Sequence, residues 1–144
     1  MNTYDKPCYL AGPMTGIPSF NYPAFDEAAA ELRKMGYEIT NPTELDPAPI
    51  REEHLVSPDG VWIDDAGTWG EVLGRDVRVL ADECAGIILL PGWEKSKGAR
   101  LECFVAIGCG YDCYFWYPEY SIVALTQYET LMNMIRPEVI CVTN

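Results

Sequence analysis

The chain has 144 residues, 49% of them hydrophobic, the length of one domain with enough apolar side chain to bury a sizeable core. Ten Lys and Arg against 22 Asp and Glu leave a net charge of −12, which repels a phosphate backbone and excludes a nucleic acid polymer as partner. No apolar run approaches the ~20 residues that span a bilayer, and "MNTYDKPCYL" lacks the parts of a signal peptide, so no membrane partner is expected and the expected location is the cytoplasm.

In chain order, "PCYLAG" (7–12) predicts a short buried strand ending in glycine. The loop "GPMTGIPSF" follows. Asn21 is positioned to cap a helix with Pro23 in its first turn, and Phe25, Ala28, Ala29, Leu32 and Met35 recur at helical spacing until Gly36 stops it. "YEITN" predicts a second strand, so the unit strand–helix–strand implies a right-handed parallel crossover. Residues 41–69 carry Pro42, Pro47, Pro49 and Pro58 without a sustained period and predict a long loop, either a lid or binding element or an insertion.

A helix is expected from Trp69 to Glu83, with Leu73, Val77, Leu80 and Cys84 on its apolar stripe and Asp76 on the same stripe. "GIILLPG" (86–92) is continuous and apolar, as in strands buried within parallel sheets. A helix over Lys97–Gly108 and a strand "DCYFWY" (112–117) come next, and the tail from Ser121 supplies a helix and an edge strand without legible boundaries. The six cysteines, 8, 84, 103, 109, 113 and 141, have no zinc-type spacing, and Cys8, Cys84 and Cys103 sit in apolar contexts as small core residues; no metal and no cofactor are expected. The expectation is one domain over 1–144, a doubly wound (Rossmann-like or flavodoxin-like) parallel sheet with helices on both faces.

Such sheets bind ligands beyond the carboxyl ends of their strands. Here that edge gathers the loop after the first strand, with Gly12, Pro13 and Met14, and the stretch "LLPGWEKSKGARLEC", which holds three of the ten basic residues, Lys95, Lys97 and Arg100. Ser96 can cap the helix and donate its hydroxyl to a ligand, and Gly98 removes a side chain where something must come close, so the region suits a small anion. Glu102, read as lying in the helix's first turn, complements the helix dipole by default, and Asp76 by default caps a neighbouring loop. Taken together, two acids from successive helices flank one anion-friendly pocket, which suits chemistry at a sugar carbon: one carboxylate attacks while the other manages a proton.

"YLAGPMTG", "RDVRVLADECAGIILLPGW" and the spacing S-K-G-A-R-L-E resemble the nucleoside 2-deoxyribosyltransferase superfamily, which includes the 2′-deoxynucleoside 5′-phosphate N-hydrolases; the resemblance covers residues 7–110. It implies Glu102 as nucleophile in a Ser/Asp-x-Gly-x-x-x-Glu pattern matched by Ser96, Gly98 and Glu102, Asp76 as the acid handling the base, and Tyr9 as support for the glutamate. It also implies that Ser96, where the transferases carry Asp, favours a nucleotide over a nucleoside, and that the pocket is completed in a homodimer or larger homo-oligomer. The expected activity is cleavage of the N-glycosidic bond of a (deoxy)nucleoside 5′-monophosphate, by hydrolysis or base exchange, through a glycosyl-glutamate ester. Lys95, Lys97 or Arg100 would hold the phosphate. Two alternatives stand beside it. One is a nucleotide-binding protein that sequesters or senses without turnover. The other is a phosphoribohydrolase of the cytokinin-activating type, whose Pro-Gly-Gly-x-Gly-Thr-x-x-Glu is similar to this stretch except at Trp93 and at Gly98-Ala99.

Overall fold

In the computed structural model, which describes residues 6–62 and 67–135, the chain runs β1 (Cys8–Ala11), α1 (Tyr22–Lys34), β2 (Ile39–Thr40), α2 (Ala48–Leu55), α3 (Trp69–Glu83), β3 (Gly86–Leu89), α4 (Lys97–Gly108), β4 (Asp112–Tyr117), β5 (Ile122–Leu125) and α5 (Tyr128–Ile135). Short 3-10 turns at Pro18–Asn21, Pro42–Glu44 and Trp93–Lys95 fill the joins. Cys141 and the last part of the tail lie outside the described residues. Among the described residues no helix is long and apolar enough to cross a membrane.

The strands form one mixed sheet in the order β2-β1-β3-β4-β5, parallel except for the last pair. β1 and β3 lie in register, with Tyr9 beside Ile87 and Ala11 beside Leu89, and every residue of both is buried. Their continuous apolar sequence follows from this, since neither face can meet water. The alternation of a strand then splits the core in two. Tyr9, Ala11, Ile87, Leu89 and Cys113 join a cluster with side chains of α3, α4 and α5, while Cys8, Leu10, Ile88, Leu90 and Trp116 join one with Phe25, Ala28, Ala29 and Leu32 of α1. Cys8, Cys84, Cys103 and Cys113 are buried free thiols within these clusters.

Four differences from the sequence expectation have physical causes. β5 runs antiparallel to β4, against an all-parallel sheet, because the connection 118–121 is a tight turn and a parallel return needs a crossover of a dozen residues or more. Asn21 stands at the start of α1 but caps nothing; its φ is 59°, and its Nδ2 donates to the Pro13 carbonyl at 2.9 Å, so it fastens the first loop instead. Met35, expected on the buried stripe, follows the last turn of α1 and is 42% exposed. Residues 41–62 are not a bare loop: Asn41 caps the 3-10 turn, and α2 follows, held to α1 by Arg51, which donates to Thr43 Oγ1 at 2.7 Å and pairs with Asp26.

Candidate active site

A cleft of about 700 Å³, open solvent at its mouth included, lies beyond the carboxyl ends of β1 and β3, where ligands sit in open α/β sheets. It is lined by Gly12 and Met14 after β1, by His54 of α2, by Trp69, Arg75 and Asp76 of α3, and by Ser96, Gly98 and Glu102 at α4. Phe20, Tyr22, Asp46 and Trp62 are also part of its wall.

The local sequence explains why these parts meet. Gly12 ends β1 where a Cβ would stand 2.9 Å from Leu90 Cβ and 3.3 Å from the Phe25 ring, so this glycine is needed for close packing of the strand end. The first loop is then tied to the chain after α2: Gly16 N donates to Gly60 O and Ser19 N to Ser57 O, each at 2.8 Å. Ser19, Phe20 and Asn21 take left-handed φ values of 58°, 50° and 59°, a strained run that residues with side chains rarely adopt. That run sets Phe20 against His54, ring centroids 4.3 Å apart, in the cleft wall. On the other side Ser96 caps α4 by accepting from Ala99 N at 3.2 Å.

Glu102 is the sixth residue of α4, not part of its first turn, so dipole complementarity does not account for it. It is 7% exposed, and the buried Tyr9 hydroxyl donates to its Oε2 at 2.5 Å. Burial pushes the Glu102 carboxyl up to about 8; the Tyr9 hydrogen bond and Arg75 pull the other way, and the Asp76 charge adds to the rise. Burial likewise lifts Asp76 to about 6, opposed by Arg75 and helped by Asp46. Tyr9 is driven well above the ordinary phenol range by burial and by the charges of Glu102 and Asp76. Two neighbouring acids of raised proton affinity, one of them held by a phenol, are a device for holding and moving a proton away from bulk water.

Of the residues singled out from the sequence, the structure brings Gly12, Met14, Asp76, Ser96, Gly98 and Glu102 to the cleft lining, with Tyr9 directly behind Glu102. Pro13 is outside the lining, its carbonyl held by Asn21. Lys95, Lys97 and Arg100 are outside it too; Lys97 reaches the rim, its Nζ 5.3 Å from the centroid of the Trp69 ring. Sequence reasoning missed Arg75, Asp46, Tyr22 and His54. Arg75 Nη1 donates to Asp46 Oδ1 at 2.8 Å, and its Nε donates to Asp76 Oδ1 at 3.0 Å. The Tyr22 hydroxyl donates to Asp46 Oδ2 and lies 2.9 Å from His54 Nδ1. Arg75 carried a signal, standing next to Asp76; the single histidine was another. Among the described residues no group of three or more His, Cys, Asp or Glu is placed to hold a metal ion.

Fold and cleft together define a mixed α/β protein with an acid pair, Glu102 buried and Asp76 partly buried, at the carboxyl edge of its sheet. The chain belongs to a family described as a domain of unknown function, DUF4406, whose model matches residues 6–115 and therefore takes in both acids, Tyr9, Asp46 and Arg75. No curated protein and no solved structure matches it.

Proposed function

We propose that this protein cleaves the N-glycosidic bond of a (deoxy)nucleoside 5′-monophosphate. The observation that carries the reading is the buried Glu102–Tyr9 pair with the partly buried Asp76 beside it in the cleft. In the first step the ionised Glu102 attacks C1′, the C1′–N bond breaks, and Asp76 gives its proton to the departing base. The Tyr9 hydroxyl holds Glu102 in place. In the second step water, or the nitrogen of a second base, attacks C1′ and frees Glu102, and its proton returns to Asp76. The phosphate sits at the start of α4, where Ser96, the backbone N–H groups and Gly98 leave room, with Lys97 at the rim. The same reading takes the sheet as doubly wound, supported by its order and its two core clusters. It also takes the chain as a homo-oligomer that works inside the cell.

Incubation with a panel of nucleosides and their 5′-monophosphates, followed by detection of free base and by intact-mass measurement, tests this. Base release, a sugar-phosphate adduct on the wild type, and loss of release by several orders of magnitude in Glu102→Gln are the expected results. Release retained within about tenfold in that variant removes Glu102 from the reaction. A second reading has its own observation: a Glu102 carboxyl pushed up to about 8 is largely protonated at neutral pH and suits donation of a hydrogen bond to a ligand. Tight nucleotide binding with no base released from any member of the panel favours that sequestering or sensing role.

A further inference from the structure

Arg75 is gripped from two sides. Its Nη1 donates to Asp46 Oδ1 at 2.8 Å, while its Nη2 lies 2.8 Å from Asp76 Oδ1. Arg75 and Asp76 are neighbours on α3, but Asp46 comes from the segment between the 3-10 turn at Pro42–Glu44 and α2. Asp46 is itself fixed. Its second oxygen accepts from the Tyr22 hydroxyl, Tyr22 is 1% exposed, and its hydroxyl also meets His54 Nδ1. Since the single phenolic hydrogen goes to Asp46, His54 Nδ1 is the donor to Tyr22, and the carboxylate cannot turn away from the guanidinium without breaking this chain.

We infer that Asp46 is a positioning residue for the reaction proposed above, sharing the Arg75 guanidinium with Asp76 so that Asp76 remains able to carry the proton the departing base requires. The inference rests on that reading for its chemistry and on this geometry for its coupling. A guanidinium committed to one buried carboxylate holds it firmly ionised. Here one cation faces two acids, so with both ionised the trio carries −1, and a proton on Asp76 restores neutrality in a site where Asp46 and Asp76 are only 11% and 13% exposed. The groups facing Asp76 are Arg75 on its own helix, Asp46 from the segment before α2, Tyr9 from β1 and Glu102 from α4. The opposed directions exerted on Asp76 by Arg75 and Asp46 agree with this sharing.

The test is a carboxyl ¹³C NMR titration of Asp76 in the ligand-free protein, wild type against Asp46→Asn, Asp46→Glu and Arg75→Gln, with base release measured alongside. In Asp46→Asn the guanidinium is left to Asp76, whose titration should fall by about one pH unit or more. Base release should then weaken most above pH 6, chiefly in kcat and chiefly for bases that need protonation to leave. Asp46→Glu should return both readouts toward wild type, and Arg75→Gln should move the Asp76 titration upward. An Asp76 titration unmoved or raised in Asp46→Asn overturns the inference. Should Asp46→Asn not fold, Arg75→Gln decides, and an unmoved Asp76 there overturns it equally. If the titrations move as stated while the wild type releases no base, the reaction falls and the coupling of Asp46 to Asp76 stands.

Discussion

Glu102 and Asp76 differ in what each must do with a proton, and their surroundings pull both in the same direction. A nucleophilic Glu102 works only when ionised, so its rise to about 8 slows the reaction at low pH; Asp76, near about 6, loses its proton as pH climbs. The required state therefore has the proton on the more acidic partner, and kcat/KM for the free enzyme should describe a bell with limbs near about 6 and about 8. Those limbs belong to the pair, not to either residue alone. A profile flat from pH 5 to pH 9 removes the assignment of nucleophile and acid to these two. Asp76→Asn should abolish the alkaline limb and slow release by ~10²–10⁴-fold for bases that depart poorly, with a smaller loss for bases that leave unprotonated. Equal losses across such bases show Asp76 acting only on the structure around it.

At the scale of elements, the cleft wall depends on how residues 12–21 are tied to the end of α2. Gly60 has φ +65°, and a Cβ there would lie 2.1 Å from the Ile17 carbonyl oxygen. Gly60→Ala should destabilise the protein by about 2 kcal/mol or more and raise KM through the displaced first loop, with kcat less affected. Unchanged urea midpoint and KM would show the tie to be dispensable. This is also where the sequence stops being legible. β1, α1, β3, α4 and β4 announce themselves because apolar runs and helical spacing are local patterns. α2 does not: it has eight residues, Pro49 among them, and its anchor is polar, Arg51 to Asp26 and Thr43. Glu102 and Asp76 could be picked out from their places on neighbouring helices. Tyr9 is legible as the support of Glu102 only through the family resemblance, since the two meet across 93 positions; Asp46 is not legible at all, because it meets Arg75 across 29 positions, a pairing that only the tertiary fold creates.

For the whole molecule, exposed apolar side chains gather toward the end of the described chain: Tyr117, Tyr120, Ile122, Leu125 and Tyr128 are 41–72% exposed on β4, the turn, β5 and α5. Burying such a surface against another copy is favourable. Sedimentation at micromolar concentration should thus give a mass above the 16.1 kDa of one chain. A monomer with full activity removes this part of the reading.

Proton binding at the site is tied to the stability of the whole chain. Burial raises Glu102 from 4.5 to about 8 and Asp76 from 3.8 to about 6, so between pH 4 and pH 8 the unfolded chain gives up these protons before the folded one does. The unfolded state then binds fewer protons, and stability falls as pH rises through that window. Each unit of such a shift corresponds to about 1.4 kcal/mol, so Glu102 alone opposes folding at pH 8 by several kcal/mol. Asp26 acts in the opposite sense. Its own burial would raise it, yet Arg51, Thr43 and Asn41 hold it below the ordinary carboxylate value, so its contribution is lost only on acidification below about pH 4. Stability of the ligand-free protein should therefore peak near pH 4 and fall from there toward pH 8. Glu102→Gln, which removes the proton equilibrium and keeps the shape, should melt several degrees above wild type at pH 8, with the gap closing by about pH 4. Equal melting temperatures for the two proteins at pH 8 would mean that Glu102 ionises in the fold at no cost, and a limb of the rate profile near pH 8 would have to come from another group.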